Sequence, residues 1–311
     1  MRVLTEEQRQ RKRIADKNRM REFKARARGV SPSIPSELKG RIHLVIGDTQ
    51  VKPGVPTDHL GWIGRYIVDQ FAGQDLAVIH LGDHWDMPSL SSYDRGKKSF
   101  EGRRYKADIK AGNDAFEVLN GPLNRYNEHL LPELQWWPEK HFLRGNHEDR
   151  ISRAVNDSPE LDGALSLDDL NADVWGWNVH DFRKVLWLDG VAYSHYFYHP
   201  KTGKPYGGEN LYTRLKTIGH SFTMGHQQGK DIASRAVGDK MQRGLVLGST
   251  YLHDEKYLGP QVQSYWRGIA VCHKVEDGNY DLMEVSLEYL CRKYEGCQLS
   301  EFMQSKQRIA A

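Results

Sequence analysis

Five short segments of this 311-residue chain end in a side chain that can ligate a metal ion. In four of them an apolar run stops, a glycine follows, and an acid, amide or imidazole comes next: Gly47-Asp48, Gly82-Asp83, Gly145-Asn146 and Gly225-His226. A fifth run ends in Ser194-His195. Glycine lets the chain turn sharply and brings neighbouring side chains close together. Each fragment alone is ordinary turn chemistry. At the C-terminal ends of strands in an α/β sheet, where ligands gather, the set predicts one preorganised cluster of oxygen and imidazole donors. The chain has no GxSxG elbow and no P-loop to offer a rival scheme.

Strand, loop and helix must alternate to bring these ends together. Ile42–Ile46, Leu76–Leu81 and Lys140–Leu143 are short apolar runs. Between them lie a helical pattern at Asp58–Phe71, with Ile63, Ile67 and Phe71 on one face, and a long polar helix near Arg103–Leu131. That order argues for an α/β sheet with helical crossovers. The second half is richer in strand. Val185–Leu188 and Val191–His195 flank Asp189-Gly190, and Ile269–Val275 and Tyr280–Val285 flank Asp277-Gly278, both hairpin signals. Ser221–Met224 and Gly244–Leu247 are further apolar runs. The expectation is an α/β fold of two facing mixed sheets flanked by helices. A charged helix at residues 5–28 forms a basic arm over 1–30, and Ser31-Pro32-Ser33-Ile34-Pro35-Ser36 marks a linker over 31–40. The main domain is expected over 41–290 and a C-terminal tail over 291–311.

The ordered set resembles the calcineurin-like metallophosphoesterase family. The family pattern runs Asp-x-His, Gly-Asp-x-x-Asp, Gly-Asn-His-Asp/Glu, His and Gly-His-x-His. Here it reads Gly47-Asp48-Thr49-Gln50, Gly82-Asp83-His84-Trp85-Asp86, Gly145-Asn146-His147-Glu148, His195 and Gly225-His226-Gln227-Gln228. The likeness spans residues 42–228 and extends in kind to nuclease-type and phage-encoded members. It implies a four-layer α/β/β/α sandwich. Arg144–Glu148 also matches the form found in the protein-phosphatase branch, but Asp86 is followed by Met87-Pro88 where that branch has Arg-Gly, which argues against a Ser/Thr protein phosphatase.

The resemblance implies roles. Asp83 bridges two metals. Asp48, Gln50 and Gln228 complete the first site, while Asn146, His195 and His226 complete the second. His147 stands beside the leaving group, and Asp86 orients a ligand or the loop. Where the family has His at positions 50 and 228, this chain has Gln at both. The first site then offers only oxygen donors and favours Mg²⁺, Mn²⁺ or Ca²⁺ over Zn²⁺. The second, with two imidazoles, suits Mn²⁺, Fe²⁺ or Zn²⁺. Two divalent ions are expected, manganese foremost, with the first weakly held; an empty first site is the alternative. Two metals about 3.5–4 Å apart polarise a phosphoryl group and activate a water for in-line attack, with no protein nucleophile.

The formal net charge of +3 hides an asymmetry. Residues 1–30 hold eleven Lys/Arg against four Asp/Glu, a net of +7, and the rest holds 33 against 37, a net of −4. A cationic head suits a polyanion, or a protein partner. Lys97, Lys98 and Arg103 follow the second motif and could hold a phosphate backbone. Arg144 and His84 are further substrate-side candidates, and Tyr196 and Tyr198 either stack on bases or pack in the core. His43 and His80 read as structural, and Trp136, Trp137, Trp175 and Trp177 as packed in the body. No apolar run reaches the ~18 residues of a membrane span. Three cysteines without a zinc-type spacing (Cys272, Cys291, Cys297) read as reduced thiols of a cytoplasmic protein. The leading expectation is a phosphodiesterase acting as a nuclease on DNA. The alternatives are a small-molecule phosphomonoesterase or cyclic-nucleotide phosphodiesterase, and a non-catalytic nucleic-acid-binding relative.

Overall fold

Alternating apolar residues build two mixed sheets that share one buried seam. The computed structural model describes residues 40–199, 201–206, 210–255 and 265–310. The basic arm and the linker up to residue 39 lie outside the described residues. In the six-stranded sheet, β1 (Arg41–Ile46), β2 (Leu76–His80), β3 (Glu139–Leu143) and β4 (Asn178–His180) run parallel in that order. On the other side of β1, β10 (Gly268–Glu276) pairs antiparallel, and β11 (Asn279–Ser286) pairs antiparallel with β10. The second sheet holds β5 (Leu186–Leu188), β6 (Val191–Ser194), β7 (Phe222–Met224), β8 (Asp231–Val237) and β9 (Lys240–Val246), in the order β5-β6-β7-β9-β8.

Strand periodicity explains the packing. Leu44, Ile46, Val78 and Phe142 face α1 (Asp58–Phe71) and α2 (Tyr105–Glu128), where they meet Trp62, Ile63 and Phe116. Their neighbours Val45, Ala77, Ile79 and Leu143 face the other way and pack on Val191, Tyr193 and Leu245 of the second sheet. The far side of that sheet buries Phe222, Met224 and Val246 against Leu211 and Leu215 of α4 (Leu211–Ile218), which follows α3 (Asp149–Asp157) in the chain. The result is an α/β sandwich of two mixed sheets.

Both hairpin turns form where the Asp-Gly pairs stand, each with left-handed dihedrals at its two central residues: Asp189 φ 48°, Gly190 φ 81°, Asp277 φ 48° and Gly278 φ 82°. The two turns also meet, Gly278 N donating to Asp189 O at 2.9 Å. They tie the sheets together at the end of β6 away from His195.

The C-terminal boundary differs from the expectation. Position 290 falls inside α5 (Leu287–Glu295), and α6 (Leu299–Ala310) follows. Leu290, Cys291 and Phe302 belong to the same core cluster as Trp62, and the Phe302 ring lies 5.2 Å from that indole. Residues 291–303 are therefore part of the body, because an amphipathic face there covers α1. Trp137 is also not packed as expected: it is 53% exposed, with its Nε1 donating to Gln135. No helix among the described residues is long and apolar enough to cross a membrane.

Candidate metal centre

The first three motifs leave the C-terminal ends of β1, β2 and β3, and the last two leave β6 and β7. Both sheets thus contribute to one cluster. The backbone there is unusual. Gln50 (φ 46°), Asp83 (φ 49°), His226 (φ 67°) and Gln228 (φ 59°) all sit in the left-handed region without being glycine. Such conformations persist only where the surroundings over-determine them, and they gather at ligand sites. Two glycines permit the approach of the carboxylates. A Cβ on Gly145 would lie 2.1 Å from Asp83 Oδ1, and one on Gly225 would lie 2.4 Å from Asp48 Oδ1.

Asp83, His195 and His226 offer donor atoms that all lie within 4.8 Å of one another, a group that can hold a metal ion. Asp83 Oδ2 is 3.3 Å from His195 Nε2, while its Oδ1 accepts from the His147 backbone N–H at 2.9 Å. His195 Nδ1 donates to the Leu81 carbonyl at 2.8 Å, which fixes the ring and aims Nε2 at the cluster. Asn146 Oδ1 stands 2.9 Å from the same Nε2. Burial opposes a charged His195, but the Asp83 carboxylate outweighs it and lifts the pKa to about 9. Burial would likewise raise Asp83, yet the charges of His147 and His195 hold it well below the usual carboxylate range. His226 is more open, and burial of its inner face together with the His195 charge pushes its pKa down to about 4, so its imidazole is neutral.

The oxygen-donor half is built differently. Asp48 Oδ1 accepts from the His226 backbone N–H at 3.0 Å, while Asp48 Oδ2 is buried without a hydrogen-bond partner. Gln50 Oε1 is likewise buried and unpartnered, and its Nε2 lies 3.5 Å from Asp83 Oδ2. Buried polar oxygens without partners are costly and call for an explanation. A hard cation supplies one, since carboxylate and amide oxygens are its preferred ligands. Burial first, and then the Asp83 charge, push Asp48 up to about 6. Gln228 Oε1 accepts from Tyr251 Oη at 2.7 Å, which uses one of its two lone pairs.

The chain matches no known protein-family model and no curated protein. What the centre can do rests on its own atoms.

Beside Asp83, His147 Nδ1 donates to Asp86 Oδ1 at 2.7 Å. Burial disfavours the imidazolium, but the Asp83 and Asp86 carboxylates outweigh it and raise the pKa of His147. Arg150 works against them. Its Nη2 lies 3.0 Å from His147 Nε2, so its positive charge stands against the imidazolium and is the smaller influence on the ring. Arg150 Nη1 also donates to the Asp86 carbonyl at 2.7 Å. Adjacency to the third motif is the one sequence signal that could have pointed to Arg150.

Glu148 has a role that the sequence reading missed. Fully buried, it accepts the backbone N–H groups of Asp83 (3.0 Å), Trp85 (2.9 Å) and Gly145 (2.7 Å). It thus ties the second motif to the third. Burial and the Asp83 charge push its pKa up to about 7. In Glu148→Gln one oxygen becomes an amide that faces donors. The expected loss is about 2 kcal/mol of stability, read from denaturant midpoints at constant slope.

Several substrate-side candidates stand elsewhere. His84 is fully buried among Trp85 and Phe116, with Nε2 bonded to the Gly112 carbonyl and Nδ1 to Thr49, so it has no edge left for a substrate. Arg144 turns to Asp181, Nη1 donating at 3.0 Å. Arg103 braces its own loop through Asp94 and the Pro88 carbonyl. Lys97 pairs with Asp94 at 3.5 Å, and Lys98 is exposed. None of these five side chains makes a hydrogen bond or ion pair to the cluster among the described residues. His43 bonds Tyr193 and Asp189, in keeping with a structural part.

Proposed function

We propose that this protein is a metal-dependent phosphoesterase of the calcineurin-like kind, with a phosphodiester of a nucleic acid as its substrate. On this reading the sandwich is the α/β/β/α form of that family. Asp83, Asn146, His195 and His226 hold one divalent cation, and Asp48, Gln50 and Asp83 hold a second, weaker one, manganese being the first choice. The observation that carries the reading is the pair of buried, unpartnered oxygens of Asp48 and Gln50 beside the Asp83–His195–His226 group. Bound divalent cations supply Lewis acidity toward a phosphoryl oxygen and a water of lowered pKa. The protein does the rest. Leu81 orients His195, Asp86 orients His147, and Arg150 adds positive charge on the side where the leaving oxygen departs.

A nucleotide substrate is supported by the wall next to His226. The Tyr196 ring lies 4.6 Å from that imidazole, and Tyr196 Oη is 3.0 Å from Tyr198 Oη. The Arg183 guanidinium rests 5.3 Å over Tyr198 and 5.2 Å over Phe182; it makes no ion pair within 4 Å among the described residues, though its charge reaches Asp149. Tyr196 itself is buried in the core with Phe222 and Leu211, so the half-buried Tyr198 ring and the Arg183 cation are what remain to meet a base and its phosphate. The cationic segment over residues 1–30 adds attraction for a polyanion.

A second reading, a nucleic-acid binder without turnover, is favoured by Gln228, whose amide oxygen already serves Tyr251. One experiment separates the two. Metal-stripped protein is given Mn²⁺, Mg²⁺ or Zn²⁺ and assayed on bis-p-nitrophenyl phosphate and on single- and double-stranded DNA. Mn²⁺-dependent cleavage is expected. Salt-sensitive DNA binding with no turnover under any metal would leave the binder.

A further inference from the structure

We propose that Lys52 is a positioning residue that, clamped between Asp86 and Glu255, fixes the orientation of His147 on the leaving-group side of the centre. This rests on the phosphoesterase reading. Lys52 Nζ lies 3.0 Å from Asp86 Oδ2 and 2.5 Å from Glu255 Oε1. Both carboxylates belong to residues only 5% exposed. A buried acid pair of this kind needs a cation between its members, because removing it leaves uncompensated charge.

The clamp acts through Asp86. That carboxylate uses Oδ1 for His147 Nδ1 and Oδ2 for Lys52, so both oxygens are held and the group cannot swivel. Burial would raise the Asp86 pKa, but His147, Lys52 and Arg150 hold it below the usual carboxylate range, so it stays an acceptor. His147 therefore keeps its proton on Nδ1 and turns Nε2 to the centre. Glu255 is anchored in turn by His253 Nε2 at 2.7 Å. The same segment donates Thr250 N–H to the Asp48 carbonyl at 2.8 Å and Tyr251 O–H to Gln228. One stretch of chain after β9 thus touches the oxygen-donor half directly and reaches His147 through Lys52.

Hydrolysis adds water across a P–O bond: the water oxygen bonds phosphorus, and the leaving oxygen departs and takes up a proton. A p-nitrophenolate leaves with little help, whereas a sugar alkoxide depends on the groups that meet its developing charge. Lys52→Met is therefore expected to lower kcat for an oligonucleotide about 10–100-fold more than for bis-p-nitrophenyl phosphate. Lys52→Arg should recover part of the difference. Glu255→Gln, which loosens the lysine without removing it, should show a smaller split in the same direction and serves if Lys52→Met does not fold. A measurement independent of turnover accompanies these: the NMR signal of the His147 Nδ1–H, which the Asp86 bond shields from exchange, should broaden or vanish in Lys52→Met. Equal slowing of both esters with that signal intact would overturn the proposal. If the wild type cleaves neither ester, the phosphoesterase reading fails, and the NMR signal alone decides whether Lys52 positions His147.

Discussion

Asp83→Ala is expected to remove divalent-metal binding and to lower Mn²⁺-dependent hydrolysis by about 10³-fold or more, beyond the 10–100-fold typical of residues that merely support a ligand. Asp83 is the one carboxylate within reach of both halves of the centre: its Oδ2 is 3.3 Å from His195 Nε2 and 3.5 Å from Gln50 Nε2. Glu148 does not replace it, since its carboxylate is committed to three backbone N–H groups, and Asp48, whose Oδ2 is open, already belongs to the oxygen-donor half. The variant also changes the protons. In the metal-free wild type His195 keeps its second proton up to about pH 9, because the Asp83 charge outweighs burial. Metal uptake at neutral pH must expel it. Calorimetry in two buffers of different ionisation enthalpy should show that release in the wild type. In Asp83→Ala, burial acts on His195 unopposed by this partner, its pKa falls, and no proton release is expected. Retained stoichiometric Mn²⁺ binding in the variant would remove Asp83 from the centre.

Gly145→Ala is the second large effect, and its cause is space. The added Cβ would stand 2.1 Å from Asp83 Oδ1 and 2.6 Å from Asp83 N. A flexible side chain could step aside, but the backbone atom cannot. Gly82 closes the same gap from the other side, its own Cβ position lying 2.6 Å from Gly145 N. The strands after which these turns follow, β2 and β3, are locked in parallel register, with His80 opposite Phe142. A loss of about 3 kcal/mol is expected, at the upper end for overpacking. Metal affinity should fall with it, because Asp83 must move to make room. Gly54, with nothing within 4 Å of its Cβ position, is the control for glycine replacement as such, though its φ of 84° adds local strain. Urea midpoints for the two variants, with and without Mn²⁺, separate steric from metal-linked loss. An unchanged midpoint and affinity in Gly145→Ala would show that the two turns are not packed this tightly.

Much of the frame was legible because it obeys simple periods. The helix at Asp58–Phe71 has the bounds expected, and both Asp-Gly hairpins form. The five strand ends read from Gly-Asp, Gly-Asn, Ser-His and Gly-His converge on one edge of the two sheets. What escaped had no apolar signature. β8 (Asp231–Val237) is exposed along most of its length and pairs only with β9, so its polar sequence carries no alternation to read. β4 has three residues, none fully buried. The contacts of Glu148, though it stands in the third motif, and of Lys52 were illegible for another reason. They reach residues distant in the chain, such as Lys52 with Glu255, and spacing cannot show which charges meet. His84 misled because it sits inside a motif while its side chain turns into the aromatic core.

The donors of the centre come from two sheets that also touch through apolar side chains, a pair of turns and polar links such as His43 to Tyr193 and Arg243 to Asn279. Asp48, Asp83 and Asn146 hang from one, His195 and His226 from the other. An ion held among them is a removable cross-link across that seam, joining parts of the chain that are far apart in sequence. Such a link stabilises the native state only while the ion is bound to it, so the midpoint of unfolding should track free metal concentration. Were an ion bound there, chelation would act as a mechanical release: the edge that carries the motifs would open first, while the paired turns at the far end of β6 still hold the sheets together.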